Sequence, residues 1–214
     1  MPKSTSSKYD FSKRSPEVKA ALKNRVAGRY PWLGHGRGYE EPEPLIAAIS
    51  NPDFCLAARI QFEGGARAEG VGFPRSEFSK SALTIESLGG IQEDLYFGDG
   101  RLVGVVRTTE KGGFRSEHYV TPATYSDLEL YIQLNGRLAG NYRAYLAALE
   151  KAARLTGQHL ARRGTHGLKH NFAYHFLQDA LAAGKSHASA MTELSRRCAH
   201  HRADVAVTHY AARR

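Results

Sequence analysis

Cysteine is scarce in this sequence. Cys55 and Cys198 are the only two in 214 residues, so no disulfide framework holds the chain, and a reducing cytoplasm is the expected location. There is no H-E-x-x-H and no paired C-x-x-C, which removes the common zinc signatures. His166 with His170, and Cys198 with His200 and His201, are weak substitutes, and neither a metal nor a cofactor is expected. No apolar run approaches the length of a membrane span, and the opening MPKSTSSKYD lacks the apolar core of a secretory signal. Negative charge is also short: 21 Asp and Glu stand against 30 Lys and Arg, leaving a net charge of +9. That balance suits a polyanionic partner, nucleic acid first and an anionic membrane surface second.

Hydrophobic residues make up 42% of the chain, enough for a real core. Residues 1–15 are polar, basic and Ser-rich and read as an arm. Residues 16–26 read as a short helix with Ser15 as N-cap and Pro16 at the first position. Gly and Pro punctuate 28–44, which reads as a linker, so the expected division is 1–44 and 45–214. Apolar spacing from Leu45 to Phe62 fits two helical segments broken near Asn51-Pro52, with Gly64-Gly65-Ala66-Arg67 as the following turn. Residues 82–121 change character. ALTIESL, DLYFG, RLVGVVRTTE and SEHYVT are β-rich, and Glu110-Lys111-Gly112-Gly113 reads as a hairpin tip. Helical pattern returns over 124–134, 140–157 and 166–183, and again from Ala188 to near the end. The fold expected is mainly α with a small antiparallel β-sheet, and no internal repeat is visible.

The segment Gly164-Thr165-His166-Gly167-Leu168-Lys169-His170-Asn171-Phe172-Ala173 has two readings. One is a helix start with Thr165 as N-cap. The other is a resemblance to the H-x-L-R-H-x-x-A box of the tyrosine recombinases (phage-integrase family), with Lys169 in place of Arg. Cys198-Ala199-His200-His201-Arg202-Ala203-Asp204-Val205, followed by Thr208-His209-Tyr210, resembles that family's closing pattern, L-G-H-x-R-x-D-V-T-x-x-Y. Gly64-Gly65-Ala66-Arg67-Ala68-Glu69 resembles its first box, T-G-L-R-x-x-E, with the Glu one position early. Lys111, followed by Val120-Thr121-Pro122, resembles its hairpin lysine and the V-P leading into the next helix. The four parts occur in the family's order over 45–214.

The resemblance implies a tyrosine-recombinase catalytic domain acting on double-stranded DNA, with self-association into dimers or tetramers when DNA sites are brought together. It implies Tyr210 as nucleophile, forming a 3′-phosphotyrosyl bond and releasing a 5′-hydroxyl. Arg67, Lys169 and His166 would offset phosphate charge, which grows in a pentavalent transition state. Lys111 would protonate the leaving oxygen, and His200 would bond the phosphate or orient the site. No cofactor or metal is implied, because the phosphotyrosyl bond conserves energy.

Three departures qualify this. Lys169 keeps a cation but gives up the two-pronged geometry of Arg. His200 aligns with Arg202, Asp204 and Val205, whereas counting back from Tyr210 selects His201. About 44 residues precede the domain, which the resemblance makes a possible remnant of a core-binding domain. The alternative is a catalytically weak or inactive DNA-binding relative that accompanies a full-length integrase. The pairs Arg162-Arg163 and Arg196-Arg197 read either as DNA-backbone contacts or as solvated helix charges. Leu33-Gly34-His35 imitates the closing box, but Pro44 stands where a tyrosine would be needed.

Overall fold

A computed structural model describes residues 37–76, 81–110, 113–158 and 163–199. The chain divides into two units, Met1–Gly34 and His35–Arg214, and all described residues belong to the second. The expected arm, the 16–26 helix and the Leu33-Gly34-His35 decoy therefore lie outside the described residues.

Helix α1 (Pro42–Ala47) and helix α2 (Pro52–Gly64) both begin on proline. Proline suits a first turn because its fixed φ is helical and its missing N–H would have had no partner there. Pro42-Glu43-Pro44 is thus the start of α1 rather than the end of a linker. Asn51 caps α2 by accepting the Phe54 N–H at 3.1 Å. The break between the two helices falls where the sequence places it.

Strands β1 (Leu88–Glu93), β2 (Leu102–Thr109) and β3 (Arg115–Val120) form an antiparallel sheet in that order. Two of the β-rich runs turn out differently. ALTIESL contributes a 3-10 turn at Ile85–Ser87, and DLYFG is a turn whose Tyr96 and Phe97 pack on Phe176 of a later helix. The first strand instead begins at Leu88-Gly89-Gly90, across a register shift between Leu88 and Ile91.

Four more helices follow: α3 (Pro122–Asn135), α4 (Tyr142–Leu155), α5 (Gly164–Ala182) and α6 (His187–Arg197). Helix α6 ends at Arg197, and the remainder of the helical stretch expected from Ala188 onward lies largely outside the described residues. Helix α5 starts at Gly164 with Arg163 as cap, so Thr165 lies inside it and is buried. No helix among the described residues is long and apolar enough to cross a membrane.

The main core joins α1, α2, α3 and α4 to the inner face of the sheet through Leu45, Ile60, Val106, Leu128 and Leu149. A smaller core holds α5 to α6 through Phe172, Phe176, Met191 and Leu194. Helix α2 packs on α5, and α6 packs on α5 and β3. The segment before α1 is pinned to α5 by two hydrogen bonds, Tyr39 N–H to Asn171 Oδ1 at 2.8 Å and Asn171 Nδ2 to the Tyr39 carbonyl at 2.7 Å. These contacts bring the end of α2, the base of the β2–β3 hairpin and the first turns of α5 to one place.

Candidate active site

Arg67 is positioned by the way α2 stops. Gly65 adopts φ +71°, a left-handed conformation that favours glycine, and a Cβ there would lie 2.4 Å from Phe172 Cδ1 on α5. Buried Gln61 donates to the Ala66 carbonyl at 3.1 Å, and Tyr145 donates to Gln61 at 2.7 Å. The turn after α2 is therefore fixed on both sides.

That turn wraps a carboxylate. Glu110, the last residue before the hairpin tip, is 2% exposed. Its Oε2 accepts from Arg67 Nη1 at 3.0 Å, and its Oε1 from the Arg67 backbone N–H at 3.3 Å. Gly70 leaves room for it, since a Cβ there would sit 2.5 Å from Oε1. From β3, His118 places Nε2 3.2 Å from Oε1. Burial alone would raise the Glu110 carboxyl. The hydrogen bond and charge of His118, with the charges of Lys169 and Arg67, outweigh that and hold it well below the usual carboxylate range.

Lys169 on α5 is fully buried, and its Nζ donates to the Cys198 carbonyl at 2.6 Å. Burial lowers its pKa to about 8; the nearby Arg67 charge pushes the same way, while Cys198 and Glu110 oppose it. Burial also pushes the Cys198 thiol up to about 11, against the pull of Lys169 and Arg67, so it is a neutral thiol at physiological pH.

Three of the six expected site residues fall among the described ones. Arg67 and Lys169 come close enough to feel each other's charge, and both act on Glu110. His166 is exposed on the first turn of α5, its ring 6.2 Å from that of buried His170. Lys111, His200 and Tyr210 lie outside the described residues. Among the described residues no group of three or more His, Cys, Asp or Glu is arranged to hold a metal.

The basic pairs need correction. Arg163 is buried and ion-paired with Glu40. Arg197 is buried too, with two bonds to Asp94 at 2.9 and 2.7 Å and its guanidinium 4.5 Å from the Tyr119 ring centre. Both arginines are interior ties rather than solvated charges. Exposed Arg196 pairs with Glu193 in the same helix. Sequence reasoning also passed over the parts played by Glu110 and His118. A signal was available: His118 shares the inward face of β3 with Val120, and an imidazole at an inward strand position needs partners for its ring nitrogens.

No family model matches the chain, and no curated protein matches it. Solved structures do. The chain is similar to the XerH site-specific recombinase bound to difH substrate in a pre-cleavage complex, at 16% identity and TM-score 0.54 over 80% of this chain and 49% of that one. It is similar to XerH on a palindromic difH substrate in a post-cleavage complex, at 16% identity and TM-score 0.55 over 80% and 48%. The XerA recombinase aligns at 12% identity and TM-score 0.54 over 94% of this chain and 80% of that one. The fold is thus that of tyrosine-recombinase catalytic domains, and the chain spans about half the length of the XerH structures.

Proposed function

We propose that the chain is a DNA strand-transfer enzyme of the tyrosine-recombinase type, cleaving and rejoining duplex DNA at specific sites. The carrying observation is the meeting of Arg67, Lys169 and the Cys198 carbonyl, because it gathers three separate sequence boxes into one cluster. The cluster is cationic at its heart, as a site for a phosphodiester must be. In this reading the Tyr210 oxygen attacks phosphorus, its phenolic proton passing to water. A 3′-phosphotyrosyl bond forms, the bond to the 5′-oxygen breaks, and Lys111 gives that oxygen a proton. Arg67 and His166 bond the non-bridging oxygens, and His200 orients them. Lys169 supplies charge from within. Double-stranded DNA is the partner, with dimers or tetramers assembling on it in the cytoplasm.

The experiment is covalent adduct formation on a nicked suicide duplex, scored on a denaturing gel. Wild type is expected to form adduct, and Tyr210→Phe to abolish it with little change in duplex affinity, since only the nucleophilic oxygen is removed. Adduct surviving Tyr210→Phe would mean that the nucleophile is another residue.

One observation favours a second reading. The Lys169 ammonium is sealed from solvent and already bonded to a main-chain carbonyl, so it offers phosphate only its field. A DNA-binding relative with weak or absent chemistry would look the same. Salt-sensitive duplex binding without adduct, even with a core-binding domain supplied, would select that reading.

A further inference from the structure

Three segments make direct polar contacts to the Glu110 carboxylate, and among these only the turn after α2 carries an expected catalytic residue. Arg67 comes from the turn after α2, and Thr108 from β2 places its Oγ1 3.4 Å from Oε1. His118 comes from β3 and is fully buried. Its Nδ1 lies 2.8 Å from the Gly64 carbonyl, which can only accept, so Nδ1 carries a proton. Its Nε2 lies 3.1 Å from Thr108 Oγ1 and 3.2 Å from Glu110 Oε1, a carboxylate oxygen that can only accept, so the hold on Glu110 is made when Nε2 carries a proton as well. The ring therefore bridges the last residue of α2 to the carboxylate that holds Arg67. Gly64, where one end of the bridge rests, is three residues before Arg67 along the same chain.

We propose that His118 and Glu110 are positioning residues that fix the Arg67 guanidinium for a phosphate, with Nε2 of His118 as the working atom. Its consequence for strand transfer rests on the recombinase reading above; the positioning itself does not. The geometry makes a closed loop of contacts: Gly64 to His118, His118 to Glu110, Glu110 to Arg67, and Arg67 back along the chain to Gly64. Such a loop restricts a long, rotamer-rich side chain before any ligand arrives, and pre-organised donors are what stabilise a developing charge. The charged groups facing Glu110 are His118, Lys169 and Arg67, so loss of the His118 bridge leaves Arg67 and Lys169 to share one carboxylate. Glu110 also precedes Lys111, so the same carboxylate ties Arg67 to the root of the hairpin.

Side chains that mimic one ring nitrogen each can separate this role from simple support of the fold. His118→Asn keeps a donor near Nδ1 and loses the reach to Glu110. His118→Gln places a donor near Nε2 and gives up the bond to Gly64. Two readouts on the full chain are needed: the order of the Arg67 side-chain N–H by nitrogen relaxation, and adduct rate on the suicide duplex alongside duplex affinity. His118→Asn should loosen Arg67 and slow adduct formation about ten- to a hundredfold with affinity little changed. His118→Gln should recover most of both. Glu110→Gln, which keeps the shape and removes the charge, should behave like His118→Asn and serves if the His118 variants do not fold. Equal behaviour of the Asn and Gln variants, or Arg67 order untouched in His118→Asn and Glu110→Gln, overturns the proposal. If Arg67 order follows the expected pattern while wild type forms no adduct, the positioning stands and the strand-transfer reading falls.

Discussion

Lys169 carries its ammonium fully inside the protein, on the first turns of α5. The motif suggests a phosphate donor; the fold gives it a buried bond to Cys198. Burial holds its pKa near 8, against an ordinary value of 10.5. Between those two values the unfolded chain binds more protons than the folded one, so stability should climb with pH across that interval. Below about 8 both states are protonated and the penalty of burying the charge is constant. Urea unfolding of wild type and Lys169→Met from pH 7 to 10 checks this: the difference between them should shift toward wild type above about pH 8. A flat difference would mean that Lys169 is not desolvated as described. The substitution of Lys for Arg can be read in the sequence, but its inward direction cannot. Direction depends on the Cys198 carbonyl, 29 positions away in the chain.

At the scale of elements, the turn after α2 is the most constrained join. Gly65→Ala meets both the left-handed backbone and Phe172 Cδ1, whereas Gly136, also at positive φ after α3, has nothing within 4 Å of its Cβ position. Gly65→Ala is expected to cost about 2–4 kcal/mol in urea unfolding, combining backbone strain with overpacking. Gly136→Ala should cost only about 1 kcal/mol, from strain alone. Equal costs would show that Phe172 moves aside freely. Helices α1 to α5 and the break at Asn51-Pro52 are legible because each rests on local signals, periodicity or capping chemistry. Strand β1 was not, because Leu88-Gly89-Gly90-Ile91 looks like a breaker until β2 supplies the pairing and the register shift absorbs its two glycines. Nor was the end of α6, where no Gly or Pro marks the stop and Lys169 takes the Cys198 carbonyl instead. The Arg67 and Lys169 boxes could be read at the site, but Glu110 and His118 could not be placed there, since their partners come from different elements.

For the whole molecule, the net charge of +9 overstates what reaches a polyanion. Arg163 and Arg197 are interior and paired. Duplex affinity should still fall steeply with salt, because phosphates neutralised by exposed cations release counterions. A slope of log affinity against log salt near zero would remove DNA backbone contact from the account. Asp94→Ala gives the complementary test. Buried Arg197 would lose two of its bonds and keep Glu193 at 2.8 Å, so the change should cost up to about 3 kcal/mol of stability while leaving the salt slope as in wild type. A changed slope would mean that this arginine reaches DNA after all.

The contacts around Glu110 also constrain the order in which substitutions could accumulate here. Arg67 and His118 both hold the buried Glu110 carboxylate, and loss of any one of the three leaves buried polar groups that the interior cannot solvate. Drift at any one of these positions would be filtered for stability before it was filtered for chemistry. A descendant that had given up catalysis would therefore exchange the three as a set or keep all of them. Arg67 is then a poor witness to whether such a chain still acts on DNA, and positions outside this buried set are the better ones to ask.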